Sequence, residues 1–173
     1  MKTLIRAVLV LAAASAAAAA LATVKAPAPA AARFYPLVGK WSGNGAYQEA
    51  GQPATKLKLD YRCRKASGGA AVTCELRADG KGMSVRETDL FGVNPATGQG
   101  HWYAVTNMGE THDHTADWLD PATMKASKSW SHEGKQMRED ITMRFTSAKA
   151  LEFRSVVTQD GKEVGAFSGQ LKR

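Results

Sequence analysis

The sequence predicts an all-β fold: a single closed, up-and-down antiparallel β-barrel of about ten strands behind an N-terminal signal peptide. Three observations predict it. Turn signals recur at a spacing of mostly 10 to 15 residues over residues 34–173. The segments between them alternate apolar and polar side chains. No segment beyond the leader carries a 3.6-residue apolar stripe over three turns. Ten sequentially linked strands with one apolar face leave sticky edges unless the sheet closes. A barrel removes those edges, with a sandwich as the alternative.

Residues 1–22 read as a signal peptide. Lys2 and Arg6 give a basic start, residues 7–22 are apolar but for Ser15, and Ala20-Leu21-Ala22 offers a cleavage site of the A-x-A kind. A membrane anchor is the competing reading, but the stretch is barely the ~20 residues of a span and alanine is weakly apolar. Residues 23–33 hold the Ala-Pro-Ala-Pro run and read as a flexible lead-in; residues 34–173 make the barrel. The expected location is the periplasm or the secreted space, with no membrane contact after cleavage. The formal charge is +7 for the whole chain and falls to +5 without Lys2 and Arg6. Charges of both signs are interspersed, which argues against a nucleic-acid partner and for a solvated exterior.

Cys63 and Cys74 are the two cysteines. In an oxidising compartment they are expected to pair. Gly68-Gly69 is a hairpin signal, and a turn centred there places Cys63 opposite Cys74. Leu57, Leu59, Tyr61 and Cys63 then share a face with Val72, Cys74 and Leu76, while Arg62 meets Glu75 and Asp60 meets Arg77 on the other. This register predicts a structural disulfide, at a hydrogen-bonded pair with Cα atoms ~5.5 Å apart.

Further turns are expected at Gly51 to Pro53, Asp79-Gly80, Asn94-Pro95 with Gly98, Gly109-Glu110, Asp120-Pro121, Glu133-Gly134, Ala148-Lys149 and Asp160-Gly161. Late in the chain, Ile141, Met143 and Phe145 share one face, as do Leu151, Phe153, Ser155 and Val157. A turn at Gly109-Glu110 puts His101, Tyr103 and Val105 on the face of His112, His114, Ala116 and Trp118. The next strand adds either Trp130 and His132 or Ser129 and Ser131.

The first strand reads Leu37-Val38-Gly39-Lys40-Trp41-Ser42-Gly43-Asn44-Gly45. Gly39-x-Trp41 at the start of a meander resembles the signature of the calycin, or lipocalin-like, barrels. The longer Gly39-x-Trp41-x-Gly43-x-Gly45 is similar to the opening of nitrobindin-like barrels, and the later rhythm resembles a bacterial exported calycin-like family of unknown function. The resemblance spans most of residues 34–173. It implies that Trp41 lies across one barrel end beneath a basic side chain from a late strand, Arg154 or Arg173. Nitrobindin-like proteins hold haem through a histidine late in the barrel; this chain has none after His132, so that ligand does not carry over.

His112-x-His114 puts both rings on one face of a strand. Three readings compete: the wall of a ligand cavity, a metal site with His112, His114 and a third ligand such as His132, and a solvated outer face. The large aromatics Tyr103 and Trp118 favour the wall. No enzyme site assembles. Ser42 is not in G-x-S-x-G, Gly43-Asn44-Gly45 opens no helix, and Glu75, Glu87, Asp89 and Glu152 fall where strand exteriors are expected. The sequence thus predicts a non-enzymatic protein that takes a small apolar or amphipathic molecule into its interior, lined by Tyr61, Tyr103, His112, His114, Trp118 and Trp130, with Trp41, Cys63 and Cys74 structural. No cofactor is expected. The alternatives are metal or haem handling through His112 and His114, and a structural module with a packed barrel.

Overall fold

The structure, a computed structural model, describes residues 30–173; the expected leader and most of the lead-in lie outside the described residues. A 3-10 helix (Ala30–Leu37) comes first, so residues 30–33 are helical rather than part of a flexible lead-in. Ten strands follow: β1 (Gly39–Glu49), β2 (Thr55–Ala66), β3 (Ala71–Gly80), β4 (Met83–Val93), β5 (Gly100–Thr106), β6 (Thr111–Trp118), β7 (Thr123–His132), β8 (Lys135–Ser147), β9 (Ala150–Gln159) and β10 (Lys162–Lys172). Each pairs antiparallel with its neighbours in sequence, and β1 closes the barrel against β10. The fold is the closed meander that the alternation predicts.

β2 and β3 pair as expected: Cys63 faces Cys74, Arg62 faces Glu75 and Asp60 faces Arg77. Cys63 and Cys74 form a disulfide, buried on the inner face. Their Cα atoms are 4.0 Å apart, the spacing of a close, non-hydrogen-bonded pair rather than the wider pair expected. Closing a loop of 11 residues, the bridge stabilises by about 3 kcal/mol. Reduction, or the Cys63→Ala/Cys74→Ala variant, is expected to lower the melting temperature by roughly 10 °C, read by thermal denaturation with and without reductant.

The glycines of the first strand have a steric reason. A Cβ on Gly43 would lie 1.9 Å from the backbone oxygen of Gln170, and one on Gly45 2.8 Å from Leu59 Cδ1. β1 therefore approaches β10 and the core more closely than any side chain permits.

One end of the barrel is closed. Phe34 and Leu37 of the 3-10 helix are fully buried, Phe34 lying 5.4 Å from the Phe91 ring. Trp41 is 1% exposed, donates from Nε1 to the Leu37 carbonyl oxygen at 2.7 Å, and packs on Phe145. Arg173 is its cover: the guanidinium carbon sits 4.2 Å from the indole, and the two terminal nitrogens donate to the carbonyls of Val38 and Pro36. Arg154 instead faces out towards Glu163.

Two registers differ from expectation. The β3–β4 turn falls at Lys81-Gly82, where Gly82 takes the positive φ of 72°, and Gly80 still pairs with Met83. The β5–β6 loop spans residues 107–110 instead of a two-residue turn at Gly109-Glu110. Asn107 causes this by tying the loop to β4: its amide donates to the Arg86 oxygen, and its side-chain oxygen accepts from the Arg86 amide. Trp102 then faces His114 and Ala104 faces His112. The shift from the expected register is an odd number of residues, so it exchanges the two faces of β5.

Candidate functional site

Below the closed end the barrel interior holds a cavity of about 90 Å³. Leu76, Ala104, Ile141, Met143, Phe153, Phe167 and Leu171 line its apolar part, and polar side chains line the other.

The first polar group is built on β4. Asp89, 1% exposed, accepts from Tyr61 Oη at 2.9 Å and from Trp102 Nε1 at 2.7 Å. Glu87 lies two residues away on the same face and also lines the cavity. Burial, then the nearby Asp89 carboxylate, push the Glu87 carboxyl well up. Burial raises Asp89 too, opposed by its hydrogen bonds from Trp102, Glu87 and Tyr61. Two carboxyl groups this close in low dielectric cannot both ionise easily, so the pair holds a proton near neutrality. Burial and the Asp89 charge likewise raise the Tyr61 hydroxyl.

A carboxyl whose native value is raised gives stability that is full below its unfolded value and is lost as pH rises through the native one. Glu87→Gln, which keeps a donor and cannot ionise, is expected to flatten that loss. Its melting temperature relative to wild type should climb as pH rises from about 5 to about 9. A constant difference across that range would show that Glu87 is not held protonated.

The second group spans β6, β7, β8 and β9. His114 is 2% exposed; its Nε2 lies 2.9 Å from Glu139 Oε2 and its Nδ1 3.4 Å from the Trp102 carbonyl oxygen. His112 Nδ1 lies 3.4 Å from the same Glu139 oxygen, and its Nε2 is 3.5 Å from Glu110 Oε2. Ser155 Oγ donates to Glu139 Oε1 at 2.6 Å. Lys128 reaches in from β7, touching His112 Nδ1, with its Nζ 3.9 Å from Glu139 Oε2 and 4.4 Å from the Trp130 ring. Burial alone would raise the Glu139 carboxyl, but the hydrogen bonds of His112, His114 and Ser155 outweigh it and hold the group well below the usual carboxylate range. The Glu139 hydrogen bond raises His112, against burial and the Lys128 charge. Burial lowers Lys128. Trp102, 5.4 Å from the His114 ring, joins the two groups into one polar wall.

Of the residues singled out from sequence, Tyr61, His112 and His114 line the cavity. Tyr103 does not: with the β5 faces exchanged it is 46% exposed and stacks on His101, which meets Asp113 outside. Trp118 sits at the closed end against Phe145, away from the polar wall. Trp130 shares the inward parity of β7, but it supports Lys128 and is not among the cavity-lining residues. His132 is exposed at the β7–β8 turn, and Glu139 stands where a third ligand was sought. Glu87 and Asp89, expected outside, point inward because they share the parity of Val85 and Phe91. Glu139 was legible in the same way, two residues before Ile141 on its face.

Haem does not fit this interior. The cavity of about 90 Å³ is far below the ~300 Å³ where pockets for drug-sized ligands begin, and both inward histidines already face Glu139.

No helix among the described residues is long and apolar enough to cross a membrane. No protein-family model matches the chain, and no curated protein matches its sequence. Solved structures do resemble it. Rv2717c from M. tuberculosis superposes with a TM-score of 0.62 at 18% identity, over 84% of this chain and 98% of that one. The S-type phycobiliprotein lyase CPES from Guillardia theta gives 0.54 at 10% identity, over 81% of this chain and 89% of its own. A protein of unknown function of the DUF3598 family from Nostoc punctiforme gives 0.55 at 10% identity, over 81% of this chain and 48% of its own. At these identities the likeness is one of fold, that of antiparallel ten-strand barrels.

Proposed function

We propose that this is an exported, non-enzymatic calycin of the periplasm or secreted space, which takes a small, partly apolar molecule into its barrel. One observation carries the reading: the cavity joins an apolar wall of Phe153, Phe167, Ile141 and Leu171 to a convergent polar wall of Tyr61, Asp89, Glu87, His112 and His114. Binding sites are commonly concave and apolar with a few placed polar groups. A packed structural core has no reason to keep two carboxyl clusters inside, since buried charge is costly. The volume limits the ligand. About 90 Å³ is smaller than the ~150 Å³ hole that admits benzene, so the occupant is compact, or the Phe153 and Phe167 rings give way to it.

The non-enzymatic part rests on Ser155. The carboxylate that accepts its hydroxyl, Glu139, is held well below the usual carboxylate range by His112, His114 and Ser155, so it is a weak base towards a serine proton. Export is supported by the leader and by the Cys63–Cys74 bridge, which suits an oxidising compartment.

Native mass spectrometry of protein purified from its own host tests the reading. A recurring small adduct is expected on the wild type. Ala104→Leu adds three carbons to the cavity wall and should lose the adduct without a large fall in melting temperature. A protein that is always bare, and whose melting temperature no small-molecule panel shifts, overturns the reading in favour of a packed structural barrel.

A further inference from the structure

We propose that His112, His114 and Glu139 form a binding site for one divalent transition-metal ion of zinc type, with its open coordination position facing the cavity. The site shares His112 and His114 with the polar wall of the proposed ligand cavity, but an ion needs none of the apolar wall.

The three groups present a chelating bite. One ligand atom from each, a ring nitrogen of His112, a ring nitrogen of His114 and a Glu139 oxygen, lies within 4.8 Å of the others. The two distances to Glu139 Oε2 are 2.9 Å from His114 and 3.4 Å from His112. Ligands 2.0–2.1 Å from an ion stand roughly 3.0 Å apart at octahedral angles and about 3.4 Å apart at tetrahedral ones. Both distances to Glu139 already match that spacing, and the two imidazole nitrogens need only side-chain adjustment to close on an ion.

Each ligand's far atom is also held from outside. His114 Nδ1 faces the Trp102 carbonyl oxygen at 3.4 Å, His112 Nε2 faces the Glu110 carboxylate at 3.5 Å, and Glu139 Oε1 takes the Ser155 hydroxyl at 2.6 Å. A backbone carbonyl, a carboxylate and a hydroxyl are the outer partners that fix ring orientation at metal centres. A solvated histidine pair has no need of them.

Lys128 lies against the same cluster. Its ammonium touches His112 Nδ1 and lies 3.9 Å from Glu139 Oε2, so a cation already sits beside the position the ion would take. The Trp130 ring, 4.4 Å away, gives it a seat to retain once displaced. Two imidazoles and one carboxylate favour zinc and its first-row neighbours over calcium or magnesium, which prefer all-oxygen shells. Three protein ligands leave a position open towards the cavity, as in sites that bind a further molecule on the metal.

The test is titration of the full-chain protein, purified after chelator dialysis, with Zn²⁺ by calorimetry and with Co²⁺ by visible absorption. The wild type is expected to take up one ion per chain, with the intense d–d bands of low-coordinate cobalt. His112→Gln should weaken binding by at least ~100-fold, and Glu110→Gln, which keeps all three ligands, by about 10-fold. Lys128→Met removes the competing cation and should bind at least as tightly as wild type. No saturable uptake by either the wild type or Lys128→Met at millimolar zinc overturns the proposal. So does uptake that His112→Gln leaves unchanged, which would mark an adventitious site on the exposed histidines. If His112→Gln does not fold, Glu110→Gln decides, an unaltered affinity counting against the site.

Discussion

Trp41→Ala is expected to cost about 3–5 kcal/mol and to lower the melting temperature by roughly 10–20 °C. The indole is 1% exposed and lies in the main core cluster. Its removal leaves a large hole at the closed end, where Phe145 keeps only Trp118 of its two aromatic partners and the Leu37 carbonyl loses its donor. Strand β1 cannot collapse into the space, because Gly43 already brings it against β10. Two comparisons separate the contributions. Trp41→Phe keeps much of the area but abandons the Leu37 oxygen, and should cost about 1–3 kcal/mol. Arg173→Ala removes an exposed cover and should cost about 1 kcal/mol. Thermal and urea denaturation of the three variants measure this; a Trp41→Ala protein within about 1 kcal/mol of wild type would show that the plug carries no such weight.

Glu139→Ala is the second large effect, about 3–5 kcal/mol, because it strips one partner from a buried charged network. Its side chain is 12% exposed, and it is the shared acceptor for His114, His112 and Ser155. Without it Lys128 and the two imidazoles face one another with only the Glu110 carboxylate, at the far side of His112, to balance them. The loss has a pH signature. A carboxyl with a depressed native value contributes stability above its unfolded value of 4.5, lost as pH falls. His112 has a raised value, so its contribution is full below its unfolded 6.5 and is lost as pH rises. The destabilisation of Glu139→Ala should therefore be largest between those two values. Glu139→Gln keeps the acceptor for Ser155 but not the charge, and should cost less in that window. Equal melting curves for the wild type and Glu139→Ala at pH 6 would refute the network.

The core of the barrel followed from parity. Leu57, Leu59, Tyr61 and Cys63 face inward in the register that the Gly68-Gly69 turn and the charge pairs demanded. The misplacements came from two sources. Glu87 and Asp89 are expected outside, although even the expected β3–β4 turn gives them the inward parity of Val85. Charge type and parity conflicted there, and parity prevailed because Tyr61 and Trp102 satisfy the buried carboxylate. Tyr103 was lost to a loop whose length depends on Asn107 reaching a strand more than twenty residues back.

The sequence by itself determined the strand count, the antiparallel meander, the disulfide and the inward face of most strands. These depend on local alternation and on turns between neighbours, which a linear reading contains. Only the tertiary structure decided the polar interior. Lys128 from β7, Glu139 from β8 and Ser155 from β9 meet the β6 histidines because the barrel curves those strands around one axis. Charged groups become a site only where closure removes water and leaves each one a partner from another strand. That condition concerns distances across the barrel, which alternation along a strand does not encode.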